Sequence, residues 1–290
     1  MDFVCVCIRV PKCGSSSLHY ALSAAFAERR TFFLPDSLNL DGRYSWIQRQ
    51  RFARARRGGL LSHYGDPRLS NALAVINGEA EPGDLVLGGH FDLAFARQAL
   101  AAPVRAITLL RDPVARCVSE YNYSRQNHLA RNVFRRLDSK IQPKIAAKYG
   151  LTGYLDYLLE RREAYGDLAC RYLAWDGAEP LGGYFDRHVF HAGVLEDSTT
   201  FAAGLSDKLG RAVVLPWANS TVERAALSAD AEARRRIEQL YPRDFELYEH
   251  VRAESRQAAR RLARRRVTVV ASSSATPPGA MPAQSVRRRR

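Results

Sequence analysis

The chain has 290 residues, of which 46% are hydrophobic, 26% charged and 10% aromatic, with a formal net charge of +14. Five cysteines exclude a disulfide scaffold and leave at least one thiol unpaired; no apolar run reaches the ~18 residues of a membrane span, and no signal leader is expected. The charge is uneven: residues 251–290 hold eleven arginines and one acid, Glu254, while residues 1–250 hold 33 basic against 29 acidic residues, so a soluble, cytoplasmic globular protein with a basic end is expected rather than a nucleic-acid-binding module.

Residues 3–10 (FVCVCIRV) form an apolar run with β-branched residues on both faces, the pattern of a buried parallel strand. The loop Pro11-Lys12-Cys13-Gly14-Ser15-Ser16-Ser17 follows, and Leu18, Leu22 and Phe26 then recur at helical spacing. Asp84–Gly88 reads as a second strand ending at Gly89-His90, and Phe91–Leu100 as a helix. Residues 104–110 (VRAITLL) read as a third strand, after which RDPVARCVSEYNYSR becomes helical from Pro113. Further on, Leu151–Arg162 and Asp167–Trp175 are expected as amphipathic helices, Val189–Leu195 as a strand, Ser198–Leu209 as a helix and Val213–Leu215 as a short strand. Ser228 is expected to cap a helix reaching Leu240, and a last helix to run over about 243–266. Residues 267–290, rich in Ser, Ala and Pro and closing on four arginines, read as a disordered basic tail. The alternation of β and α elements predicts an α/β domain over residues 1–266, three layers with a central parallel sheet and helices on both faces.

The first loop has the chemistry of an anion site. Backbone N–H groups are unpaired where a helix begins, and the helix dipole favours negative charge there. Gly14 lets a phosphate approach the backbone, Ser15, Ser16 and Ser17 add hydroxyl donors, and Lys12 adds a mobile charge. The order is not that of a Walker A loop, because Lys12 precedes Gly14. A second constellation follows the third strand: Arg111 at its carboxyl edge, where open α/β sheets bind ligands, then Arg116, Ser119, Tyr121 and Arg125. Arg111 with the Ser119 hydroxyl suits a second phosphate. Two grips on neighbouring strand ends point to a nucleotide phosphorylated at both its 5′ and 3′ positions.

VPKCGSSSL resembles the 5′-phosphosulfate loop, and RDPVARCVSEYNYSR the 3′-phosphate motif, of the PAPS-dependent carbohydrate O-sulfotransferases, in particular the heparan and uronyl 2-O-sulfotransferase branch. GGHFDL, GVLEDSTTFAAGLSDKLG and LSADAEARRRIEQLYPRDFELYEHV resemble further segments of that branch, so the likeness spans roughly residues 3–251. The resemblance implies a P-loop-like fold and transfer of a sulfuryl group from PAPS (3′-phosphoadenosine 5′-phosphosulfate) to a hydroxyl of a glycan or glycoconjugate. It also implies roles. Residues Cys13, Gly14, Ser15, Ser16 and Ser17 would hold the 5′-phosphosulfate, and Lys12 would bind it and stabilise the leaving oxygen. Arg111 and Ser119 would hold the 3′-phosphate, and His90 would be the general base. No metal is expected. Two positions depart from the family pattern: Cys13 stands where a small residue or Thr is usual, and Gly88 where some relatives carry a second histidine.

The remaining histidines (His19, His63, His128, His188, His191 and His250) read as structural, and Cys5, Cys7, Cys117 and Cys170 as core thiols. Glu79, Glu81 and Asp92 are candidates to orient His90. Two basic stretches, residues 41–57 with Tyr44, Trp46 and Phe52 interleaved and residues 125–148, read either as solvated helix faces or as a surface for acidic sugars. The arginine-rich C-terminus allows peripheral contact with an anionic membrane. Two other functions remain open: a non-catalytic nucleotide- or polyanion-binding protein, and a nucleotide-dependent kinase. Lys12 and the apparent 3′-phosphate site count against the kinase.

Overall fold

In a computed structural model, which describes residues 1–34, 67–130, 141–216 and 229–273, the apolar run near the start forms β1 (Val4–Ile8), every residue of it buried. Val4, Val6 and Ile8 enter one core while Phe3, Cys5 and Cys7 enter another. That alternation is what a strand covered on both faces requires. Next come α1 (Ser15–Ala25), β2 (Thr31–Phe33), α2 (Pro67–Glu79), β3 (Leu85–Leu87), α3 (Leu93–Ala99), β4 (Val104–Leu110) and α4 (Pro113–Leu129). Then follow α5 (Ile141–Lys148), α6 (Leu151–Leu159), α7 (Arg162–Tyr165), α8 (Leu168–Tyr172), α9 (Leu181–His188) and β5 (Val189–Val194). A 3₁₀ turn (Leu195–Asp197), α10 (Ser198–Leu209), α11 (Ala231–Leu240) and α12 (Pro242–Ser273) complete the described chain.

The five strands form one sheet in the order β2-β3-β1-β4-β5, each neighbour parallel to the next. α1 and α10 cover one face, through Leu18, Leu22, Phe201 and Leu205. The other face is covered by α3, α4, α6, α11 and α12, through Leu93, Val114, Cys117, Leu155, Ile237 and Leu247. This is the α/β layering expected from the alternation of elements. The order turns at β1, which has β3 on one side and β4 on the other; that is where a doubly wound sheet opens a crevice at its carboxyl edge.

Aspartates set several helix starts. Asp112 accepts from the Ala115 amide at 2.8 Å with Pro113 in the first turn of α4, and Asp92, Asp197 and Asp230 cap α3, α10 and α11 in the same way. Asp230 therefore caps the helix assigned to Ser228, which lies outside the described residues. The helix expected over Leu151–Arg162 breaks into α6 and α7, and Asp167–Trp175 shortens to α8. Val213–Leu215 forms no strand: the Val213 amide donates to Ser206 Oγ at 2.8 Å, and Val214 stays exposed. α12 reaches Ser273, past the expected end of its helix. Residues 274–290, 41–57 and 131–140 lie outside the described residues.

All five cysteines are buried and free, and burial pushes the Cys5 and Cys7 thiols up to about 12. His191, on β5, also has a structural place. Its ring lies 4.7 Å from the Phe201 ring, and Nε2 is 2.9 Å from the Phe201 carbonyl, tying the sheet to α10. Burial lowers its pKa from 6.5 to about 4; the neighbouring Lys208 lowers it further, and the Phe201 carbonyl opposes both. The unfolded chain therefore takes up a proton that the folded chain refuses. His191 should cost stability as pH falls from about 6.5 to about 4, by up to about 3 kcal/mol across that window. Urea unfolding at pH 7 and pH 4.5 should show this loss in the wild type and a smaller one in His191→Phe; equal acid losses would exclude the effect.

Candidate functional site

Three loops leave adjacent strands at one edge of the sheet: residues 9–14 after β1, Gly88–His90 after β3 and Arg111–Asp112 after β4. In the first, the chain turns tightly. The Cys13 amide donates to the Val10 carbonyl at 3.4 Å, and both Lys12 (φ 66°) and Gly14 (φ 71°) are left-handed. Gly14 is required here for a second reason as well. A Cβ on it would stand 2.7 Å from Leu195 Cδ1 and 3.3 Å from Leu109 Cδ2. The first intrahelical bond of α1 runs from the Leu18 amide to the Gly14 carbonyl at 3.1 Å, and no side chain caps the helix. Its first-turn amides, with Ser15 and Ser16 half-buried and Ser17 buried, have the donor chemistry of an oxyanion cradle. The Cys13 thiol turns inward, 3.6 Å from the Pro11 carbonyl, and burial pushes its pKa up to about 12. Such a thiol stays protonated and resists oxidation.

The loop after β4 meets the first directly: Arg111 Nη1 donates to the Lys12 carbonyl at 3.4 Å. Behind it, Glu196 of the 3₁₀ turn accepts from the Asp112 amide at 3.0 Å and from the Tyr248 hydroxyl at 3.3 Å. This buttress joins β5 and α12 to the start of α4. Ser119 lies two turns along α4, buried at the level of side-chain packing. Arg116 does not join them. It points into the core, 3.3 Å from Asp244 and with its guanidinium 4.4 Å from the Tyr241 ring centre. Tyr121 is likewise buried in the core, and Arg125 is exposed.

His90 follows β3 at the same edge. Its Nδ1 lies 2.7 Å from the Arg9 carbonyl. A carbonyl only accepts, so Nδ1 carries the proton and, in the neutral ring, Nε2 carries the lone pair. Arg9 Nη1 also donates to the Gly88 carbonyl at 2.8 Å, so one residue latches the ends of β1 and β3 together. Of the carboxylates considered for orienting His90, Asp92 caps α3 and Glu81 pairs with Arg30 at 2.9 Å. The sequence reading overlooked Arg9, whose contacts lie 79 and 81 residues away. Gly88 is crowded: an added Cβ would meet Leu34 Cβ at 2.9 Å, and Leu34 O and Phe91 Cε1 at 3.0 Å. A second histidine at 88 has no room in this packing.

Beside the loop, on the β2–β3 side and away from Arg111, lies a cavity of about 420 Å³ lined by Arg9, Ser16, His19, Tyr20, Phe33, Leu34 and Gly88. Arg9 Nε is buried there without a hydrogen-bond partner among the described residues. His19, read from sequence as structural, is one of the walls of this cavity.

Compared with models of known families, the chain matches the one described as the sulfotransferase family over residues 2–250, from β1 into α12. No curated protein matches it significantly.

Proposed function

The chain belongs to the sulfotransferase family, and from that premise we propose that it transfers the sulfuryl group of PAPS to a hydroxyl of an acidic glycan or glycoconjugate, in the manner of the uronyl 2-O-sulfotransferases that its motifs resemble. Sulfuryl transfer is the family's reaction, and PAPS is generally its donor. The observation that carries the reading is the bond from Arg111 to the Lys12 carbonyl, which ties the loop after β4 to the loop after β1. The residues fit the donor: the left-handed turn at Gly14 leads into the first turn of α1, which supplies amides and the Ser15, Ser16 and Ser17 hydroxyls for the 5′-phosphosulfate, and Arg111 with Ser119 takes the 3′-phosphate. Cys13 contributes the turn rather than its thiol.

The donor supplies the sulfuryl group and leaves as adenosine 3′,5′-bisphosphate. His90 Nε2 takes the proton of the acceptor hydroxyl as that oxygen bonds to sulfur and the bond from sulfur to the bridging oxygen breaks. Lys12 and the α1 amides balance the charge left on the bridging oxygen. His90 then returns its proton to solvent. The cavity on the β2–β3 side suits the acceptor: Arg9 and His19 for a carboxylate or sulfate, and the exposed rings of Tyr20 and Phe33 for a sugar face.

Thermal denaturation with adenosine 3′,5′-bisphosphate, ADP and AMP tests the donor site. At 100 times its dissociation constant the bisphosphate should stabilise the wild type by about 2.7 kcal/mol, selectively over ADP and AMP, and Ser119→Ala should weaken that effect. Equal or absent stabilisation by the three nucleotides would overturn the reading.

A further inference from the structure

We infer that Tyr123 is a positioning residue for Lys12, a ring that holds the ammonium in place at the donor site; this rests on the donor site proposed above. Three observations converge. The Lys12 ammonium lies 4.0 Å from the centre of the Tyr123 ring, on the axis where the ring's quadrupole attracts a cation. The Lys12 backbone is held at φ 66°, a conformation disfavoured for a residue with a side chain, with its carbonyl tied to Arg111. Tyr123 itself is one turn beyond Ser119 on α4 (Pro113–Leu129), so i and i+4 of that helix face the same way.

The 3′-phosphate motif thus reaches Lys12 twice, by Arg111 at the backbone and by Tyr123 at the ammonium. A lysine on a four-carbon stem otherwise spreads its charge over many rotamers. The ring restricts that spread. Tyr123 remains 49% exposed, so the fold gains little from its burial, and replacing it should not unfold the chain.

A double-mutant cycle read by calorimetric binding of adenosine 3′,5′-bisphosphate tests this, with melting temperatures checked in each variant. Tyr123→Ala should weaken binding about two- to five-fold, the range that a partly exposed cation–π contact supports. Tyr123→Phe, which keeps the ring, should bind as the wild type does. In a Lys12→Ala background the Tyr123→Ala effect should disappear. The same loss with and without Lys12 would show the ring acting on the nucleotide directly and overturn the inference, as would unchanged or tighter binding in Tyr123→Ala. If the wild type itself shows no preference for the bisphosphate over ADP and AMP, the donor-site reading fails and takes this inference with it.

Discussion

His90→Ala should lose about 10²- to 10⁴-fold in turnover of PAPS with an acceptor, the range that a positioned general base supplies, and should bind adenosine 3′,5′-bisphosphate within about two-fold of the wild type. The separation follows from position. His90 leaves β3, on one side of β1, while Arg111 and Ser119 belong to β4 and α4 on the other. The loop of β1 lies between them, so the proposed donor site and the proposed base sit on different strands. The Arg9 carbonyl at 2.7 Å fixes which nitrogen carries the proton, so Nε2 needs no tautomer change before it accepts one. The crowding at Gly88 removes the option of a second histidine, so the proposed mechanism has one ring for proton removal. His90→Gln, which keeps a polar group of similar reach but no basic nitrogen, should be as slow as His90→Ala. Turnover that survives in both variants would remove His90 as the base. A parallel fall in bisphosphate affinity would instead make it a donor ligand. If no acceptor is sulfated by the wild type although the bisphosphate binds selectively, the non-catalytic alternative gains.

The parts of this site that could be read in the sequence are those written over short distances. FVCVCIRV shows its two buried faces within eight residues, and the Gly14 turn and the serines that open α1 lie within one loop. Asp112-Pro113 carries both signals of a helix start. The parts that could not be read depend on partners far along the chain. Arg116 stands five residues after Arg111 and read as part of the phosphate motif, but its partner Asp244 is 128 residues away. Arg9 read as the end of a strand, although it latches β3 from 79 residues away. Local chemistry misled in other places. β2 has three residues, none of them buried, and the apolar stretch Phe32-Phe33-Leu34 is too short to mark a strand by its pattern. α9 begins LGGYFDRH, and two glycines argue against a helix; Leu181 and Tyr184 bury into the core, and the Tyr184 hydroxyl donates to the Leu173 carbonyl, a tertiary gain that outweighs the local preference. Val213 was apolar enough for a strand, but it fills a place beside α10 instead.

The largest stability effect should come from Asp244. Its carboxylate is 1% exposed and serves three groups: Arg116 Nη2 at 3.3 Å, the Ala169 amide at 3.1 Å and the Cys170 amide at 3.0 Å. The two amides belong to the first turn of α8, so one side chain joins α4, α8 and α12. Asp244→Ala strands a buried guanidinium and two buried N–H groups, for which a loss of about 3–5 kcal/mol is expected. For a chain of this size that lowers the melting temperature by on the order of 10 °C. Most of the loss comes from the charge left behind rather than from the bond removed, so the second substitution should act in the opposite direction. Arg116→Met combined with Asp244→Ala should be more stable than Asp244→Ala alone, although still below the wild type because the α8 amides keep no acceptor. Additive losses in the double variant, or a loss below about 1 kcal/mol in the single one, would show that solvent reaches Arg116. Arg116 lies on α4 three residues before Ser119, so freeing it also loosens the helix that carries one of the residues proposed for the 3′-phosphate. Asp244→Ala should therefore weaken bisphosphate binding even below its melting temperature, where His90→Ala should not: on the proposed reading one substitution removes a proton acceptor from an intact donor site, and the other leaves the acceptor in place and unsettles the donor site.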